Sequence, residues 1–168
     1  LHRRVVDVAT GECVDDPAVA CVALGTAAFV HLALDDLDSV EGDVRRCILA
    51  ARKAHDPLCA LRARVMLAEA DRRRNRRTAA EALMRRLLRV EGSRLPPIVR
   101  ARCDLLKDLL SSRTGSADVV GHHIARTGLH ALALYVPDAH REGRSSAVPE
   151  SVMDEVVGIL HICQTAEE

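Results

Sequence analysis

Apolar residues along this chain come in helix-length blocks, and prolines stand at the front of them. From Asp16-Pro17 a nearly unbroken apolar block runs over 17–34, and comparable blocks follow Asp56-Pro57 over 57–71 and Pro96-Pro97 over 97–110. Proline suits the first turn of a helix because the N–H it lacks would find no partner there, and an aspartate before it caps the free amides. Between the blocks, apolar positions recur at helical spacing. Over 78–90, Ala80, Leu83, Met84, Leu87 and Val90 form one stripe while Arg85, Arg86 and Arg89 fall on the other side. Thr78 with Glu81 three residues on reads as a capping box at the start of that helix. Segments 43–54 and 117–135 read as helices too, after turns at "EGD" and "SSRTGS", with "RRRNRR" as the turn before 78. In 117–135, Gly121 and Gly128 stand seven residues apart beside Val120, Ile124, Ala131 and Tyr135, small residues that would let a neighbouring helix approach.

Pro17, Pro57 and Pro97 are forty residues apart, so the blocks resolve into three helix–turn–helix units, about 17–56, 57–96 and 97–136. The second and third also share Arg62-Ala63-Arg64 and Arg100-Ala101-Arg102, at an offset of 38 residues. Pro137 keeps the spacing but leads into loop-like "DAHREGRSSA" and closes the third unit. The predicted organisation is an N-terminal extension over 1–16, its first fourteen residues a short strand or frayed helix, a helical repeat domain over 17–137, a loop over 138–148 and a last helix over 149–168. Val152, Val156, Ile159 and Cys163 give that helix an apolar seam, with which it would cap the array, connect to a further domain or pair with its copy in a homodimer. The chain's start at Leu1 and its helical ending "HICQTAEE" read as those of a fragment of a longer polypeptide.

Composition narrows the fold class. The 168 residues suffice for one domain with a real core, but Phe29 and Tyr135 are the only aromatics and there is no Trp. A core must be built from Ala, Leu, Val and Ile. Ala, Leu and Arg favour helix, and strand-forming runs are few, so the expected fold is all-α. Six cysteines without a Cys-x-x-Cys pair read as reduced core thiols of a cytoplasmic protein. The apolar block 17–34, rich in Ala and Gly and followed by "DDLD", reads as a buried helix and not a membrane span. Net charge is zero, yet residues 45–102 carry 17 basic against five acidic residues, between acidic segments on either side.

Ala80, Met84 and Leu87, followed by Pro96 and Pro97, together with "LAARKAHDP" (49–57) at the close of the preceding unit, resemble the tetratricopeptide-like helical repeat family across 17–137. The chain's general look is similar to the regulatory regions of multidomain bacterial transcription regulators and signalling proteins. This resemblance implies an α-solenoid of three antiparallel helix pairs plus a C-terminal helix. It implies a groove that takes a protein or peptide partner, or another domain of the same chain. Arg62, Arg64, Arg100 and Arg102 would line that groove and clamp acidic side chains.

Two other readings compete. The run "DRRRNRR" (71–77) offers Arg72, Arg73, Arg74, Arg76 and Arg77 for phosphate or nucleic-acid contact, although no aromatic lies beside them for base stacking; a solvated turn near acidic neighbours explains the same run, and nucleic acid ranks behind a protein partner. His123, His130 and Tyr135 could line the pocket of a small-molecule or metal sensor. His123 and His130 are two helical turns apart, about 10 Å of rise, so no metal ligand set and no cofactor is assigned. There is no Gly-x-Ser-x-Gly elbow and no phosphate-binding loop, since "GSADVVG" (115–121) lacks the Lys-Ser/Thr pair. No catalytic residue is assigned, and the chain reads as a non-catalytic protein–protein interaction or regulatory module.

Overall fold

A computed structural model describes residues 16–91, 95–112 and 116–128. Those residues form six helices and no strand: α1 (Pro17–Ala33), α2 (Leu37–Lys53), α3 (Pro57–Arg73), α4 (Arg77–Glu91), α5 (Pro97–Ser111) and α6 (Ser116–Thr127). The fold is all-α, as composition predicts. What the sequence predicts for residues 1–15, for the loop over 138–148, for the terminal helix, and for His130 and Tyr135 lies outside the described residues.

The first five helices begin at residues 17, 37, 57, 77 and 97, a period of twenty. The forty-residue proline spacing is two of these steps. One turn, used three times, sets the rhythm. Asp35, His55 and Asn75 have φ of 60°, 54° and 59°, the left-handed conformation in which Asn, Asp and His are enriched among non-glycine residues. Each such residue lets the next amide reach back to a carbonyl five positions earlier, Asp36 to His31, Asp56 to Ala51 and Arg76 to Asp71, at 2.8–2.9 Å. This is a Schellman closure of the helix C-terminus.

The residue that ends one helix also starts the next. Asp36 accepts a hydrogen bond from the Ser39 amide (3.3 Å), and Asp56 accepts one from the Cys59 amide (2.9 Å). Asp16 caps α1 through the Ala18 amide at 2.8 Å. Such caps contribute about 1 kcal/mol each.

The structure moves several boundaries. The turn expected at "EGD" (41–43) lies at residues 34–36 instead, and Gly42 sits inside α2; the aspartate pair, not the glycine, supplies the turn. Thr78 is the second residue of α4, not its N-cap, because the closure around Asn75 commits Arg76 to the cap position. The helix expected over 117–135 ends at Thr127, where Gly128 takes φ 70° and its amide bonds the Ile124 carbonyl. Gly121 is exposed, and no atom of the described residues lies within 4 Å of where its side chain would stand.

Two compact units divide the chain, and among the described residues the boundary falls between Ala63 and Arg64, within α3. In the first, the start of α1 meets the end of α2, where the Cys47 thiol donates to the Cys21 carbonyl at 3.2 Å. The end of α1 meets the early turns of α2 through His31 and Asp43, 2.8 Å apart and both buried. Thr26 to Ala33 are all buried, as expected of a helix apolar on every side. In the second unit, Ala80, Met84 and Leu87 are buried while Arg85, Arg86 and Arg89 are exposed, as the periodicity predicts, and Val99, Cys103, Leu105 and Leu106 form the inner face of α5.

Exposed His55 in the left-handed region gives the turn its direct test. His55→Gly should raise unfolding stability by about 0.5 kcal/mol, since glycine escapes the steric cost of positive φ but loses more entropy on folding. His55→Ile should lower it by more than about 1 kcal/mol. Urea unfolding followed by circular dichroism measures both, and equal stabilities would argue against the turn.

Candidate functional site

Helices α4 and α5 leave a shallow groove of about 290 Å³ between them, lined by Arg77, Glu81, Met84, Arg85, Leu88, Lys107, Leu110 and Ser111. The start of α4 faces the end of α5, because the Arg77 guanidinium donates to the Leu110 carbonyl, one of the free carbonyls of a helix end. Arg77 also pairs with Glu81 at 3.0 Å. That pairing neutralises the groove's one acid. Arg85 and Lys107 are exposed at the rim, and Met84, Leu88 and Leu110 provide an apolar floor.

None of Arg62, Arg64, Arg100 and Arg102 lines this groove. Arg62 and Arg100 are exposed, Arg64 is half-buried and Arg102 is buried. Counted from the first residue of its helix, Arg62 is sixth and Arg100 fourth. Two residues are about 200° of helical rotation, so the shared Arg-Ala-Arg element does not mark one helix position. The two-residue mismatch lies within the helices and not in a turn.

The arginine run is tied down at its front. Glu69, fully buried, accepts from Arg72 through both oxygens at 2.7 and 2.8 Å and from Arg73 at 2.7 Å. A buried carboxylate needs such compensation, and the forked guanidinium supplies it. Arg76 lies 3.7 Å from Asp71, Arg77 is engaged as above, and Arg74 is half-buried.

His123 is buried at 1% exposure, with Nε2 2.8 Å from Asp108 and Nδ1 3.2 Å from the Arg126 guanidinium. Arginine can only donate, so Nδ1 accepts and Nε2 carries the proton toward Asp108. Both ring nitrogens are thereby used, and neither offers a lone pair to a metal ion.

The most concentrated chemistry is one that sequence reasoning did not assemble. Cys21 on α1, Cys59 on α3 and Asp56 in the turn before α3 bring two thiol sulfurs and a carboxylate oxygen within 4.8 Å of one another. The Cys47 sulfur lies 3.6 Å from that of Cys59. Cys47 and Cys59 both donate to the Cys21 carbonyl at 3.2 Å, and Cys21 donates to the Ala18 carbonyl at 3.2 Å. Burial, reinforced by neighbouring Cys59, pushes the Cys21 thiol up to about 12. The hydrogen bond with Cys47, then burial, pushes Cys59 well above the ordinary thiol range. Cys103, away from the cluster in the second unit, is raised to about 11, chiefly by burial. The cysteines read in the sequence as core residues are free thiols at Cys21, Cys47, Cys59 and Cys103, but three of them are neighbours. The one sequence signal is that Cys59 and Asp56 flank the helix-opening Pro57.

A thiol whose folded-state pKa is raised holds its proton more tightly folded than unfolded. Its stabilising contribution is complete below the unfolded value of about 8.5 and is lost as pH rises toward the folded value. The melting temperature of the reduced, metal-free protein should therefore fall between pH 8 and pH 10.5, and fall less in Cys21→Ala. A thermal scan against pH checks this, and a flat profile in the parent protein would contradict the raised thiols.

Comparison with protein-family models, curated proteins and solved structures returned no match to this chain.

Proposed function

We propose that this chain is a non-catalytic interaction module whose α4–α5 groove takes an acidic peptide segment carrying a leucine or isoleucine. The observation that carries this reading is the groove's composition: an apolar floor of Met84, Leu88 and Leu110 under a rim of Arg77, Arg85 and Lys107, with Glu81 already engaged by Arg77. A volume near 290 Å³ suits one or two side chains of a peptide better than a whole cofactor. The excess of basic residues over 45–102 extends the same preference beyond the groove, through faster encounter and rejection of basic partners.

The wider architecture belongs to the same proposal. Helices that start every twenty residues along 17–97 support stacked antiparallel pairs, the arrangement in which α-solenoids present grooves. The resemblance of Ala80, Met84 and Leu87 to tetratricopeptide-like units supports a regulatory role within a larger bacterial transcription regulator or signalling protein. Four free thiols among the described residues support a reducing, cytoplasmic setting. No helix among the described residues is long and apolar enough to cross a membrane.

Fluorescence anisotropy with a labelled peptide of alternating Glu and Leu tests the groove. Binding should weaken as salt rises. Arg85→Glu with Lys107→Glu should cost at least about tenfold in affinity, about 1.4 kcal/mol, while circular dichroism stays unchanged. Equal affinity of the double variant, or equal binding of a Lys/Leu peptide, would refute the assignment.

A further inference from the structure

We propose that Cys21, Cys59 and Asp56 form a three-ligand zinc site joining α1 to α3 within the first unit, with the Cys47 thiol of α2 beside Cys59. Sulfurs around a tetrahedral zinc ion, each bonded at about 2.3 Å, stand about 3.8 Å apart. Cys47 and Cys59 are 3.6 Å apart, and the Cys21, Cys59 and Asp56 donor atoms lie within 4.8 Å of one another. The donors come from two stretches of the chain 35 or more residues apart, so the site depends on the fold and would staple it. The carboxylate argues for a borderline divalent ion such as Zn²⁺ over Cu⁺, which favours sulfur alone. Asp56 is already oriented, because one carboxylate oxygen accepts the Cys59 amide, the kind of support from outside the ligand set that fixes metal ligands.

Gly25 is an independent pointer. It stands in the middle of α1, where alanine would stabilise the helix. A methyl group there would meet the Cys47 and Cys59 sulfurs at 3.6 and 3.8 Å, ordinary contact distances. Packing against thiols therefore does not require glycine. Without that methyl the two sulfurs keep the freedom to shift when an ion binds. On binding, each coordinated thiol releases its proton to solvent and the sulfur lone pair forms the metal bond; no oxidant or reductant is involved.

The test uses the whole 168-residue chain, reduced, freed of metal and supplied with Zn²⁺ or Co²⁺. One Zn²⁺ per chain should survive desalting, and the Co²⁺ form should show thiolate-to-metal charge transfer in the near ultraviolet with tetrahedral bands in the red. Cys21→Ala and Cys59→Ala should lose both signals, whereas Cys103→Ala should keep them. Apparent affinity should fall at least about a hundredfold for each pH unit lowered, as expected when two or more thiol protons are displaced. Gly25→Ala retains every ligand and should remain helical, yet bind at least about tenfold more weakly, which keeps the test decisive if the cysteine variants unfold. Reduced parent protein that takes up no metal at micromolar free Zn²⁺ would overturn the proposal. So would a Co²⁺ spectrum without sulfur charge transfer, metal retention in Cys21→Ala and Cys59→Ala, or a Cys47–Cys59 disulfide in the isolated protein followed by no uptake after reduction.

Discussion

The first four helices depend on one backbone conformation, a single non-glycine residue with positive φ that closes each of α1, α2 and α3. Asp35, His55 and Asn75 occupy it, and the reach-back hydrogen bonds that follow are the same three times over. Because the residue receiving the closure is also the N-cap position of the next helix, no slack separates the helices. Seventeen helical residues and a three-residue turn repeat without drift from Pro17 to Arg73. Helix starts are thereby tied to helix ends, and side chains far apart in sequence meet at fixed levels.

Asp56 illustrates the economy. Its amide closes α2 on Ala51, its carboxylate caps α3 through Cys59, and the same carboxylate lies beside the Cys21 and Cys59 sulfurs. In the second unit, Arg77 has a comparable position at the start of α4. It satisfies the Leu110 carbonyl at the end of α5 and holds Glu81, leaving Arg85 and Lys107 to set the sign of the groove. Among the buried polar groups, His31 with Asp43 in the first unit and Glu69 with Arg72 and Arg73 in the second each have a close partner. The low dielectric of a protein interior demands that pairing.

Much of the helical layout was legible in the sequence, because proline at a first turn and a 3.6-residue apolar stripe are local signals. Pro17, Pro57 and Pro97 do open helices, and Ala80, Met84 and Leu87 are buried. The turns were harder. Glycine is the default residue for positive φ, so Gly42 drew the first turn into what is the body of α2, while Asp35 carries the strained conformation among other acidic residues. Gly128 was the reverse case, a C-terminal glycine read as a packing residue. The thiol cluster lay beyond local signals altogether: Cys21, Cys47 and Cys59 sit on three helices, and only their packing makes them neighbours. Burial likewise turned Arg72 and Arg73 from a surface charge run into partners of Glu69, a pairing that an i, i+3 and i, i+4 spacing already permits.

The most direct test of this account is the backbone conformation of Asp35, His55 and Asn75 in solution, read from carbon chemical shifts and the amide–Hα coupling of isotopically labelled protein. Positive φ at all three residues, with helical shifts resuming at Leu37, Pro57 and Arg77, is the predicted result. Helical shifts running unbroken through Asp35, with a turn centred on Gly42, would contradict it.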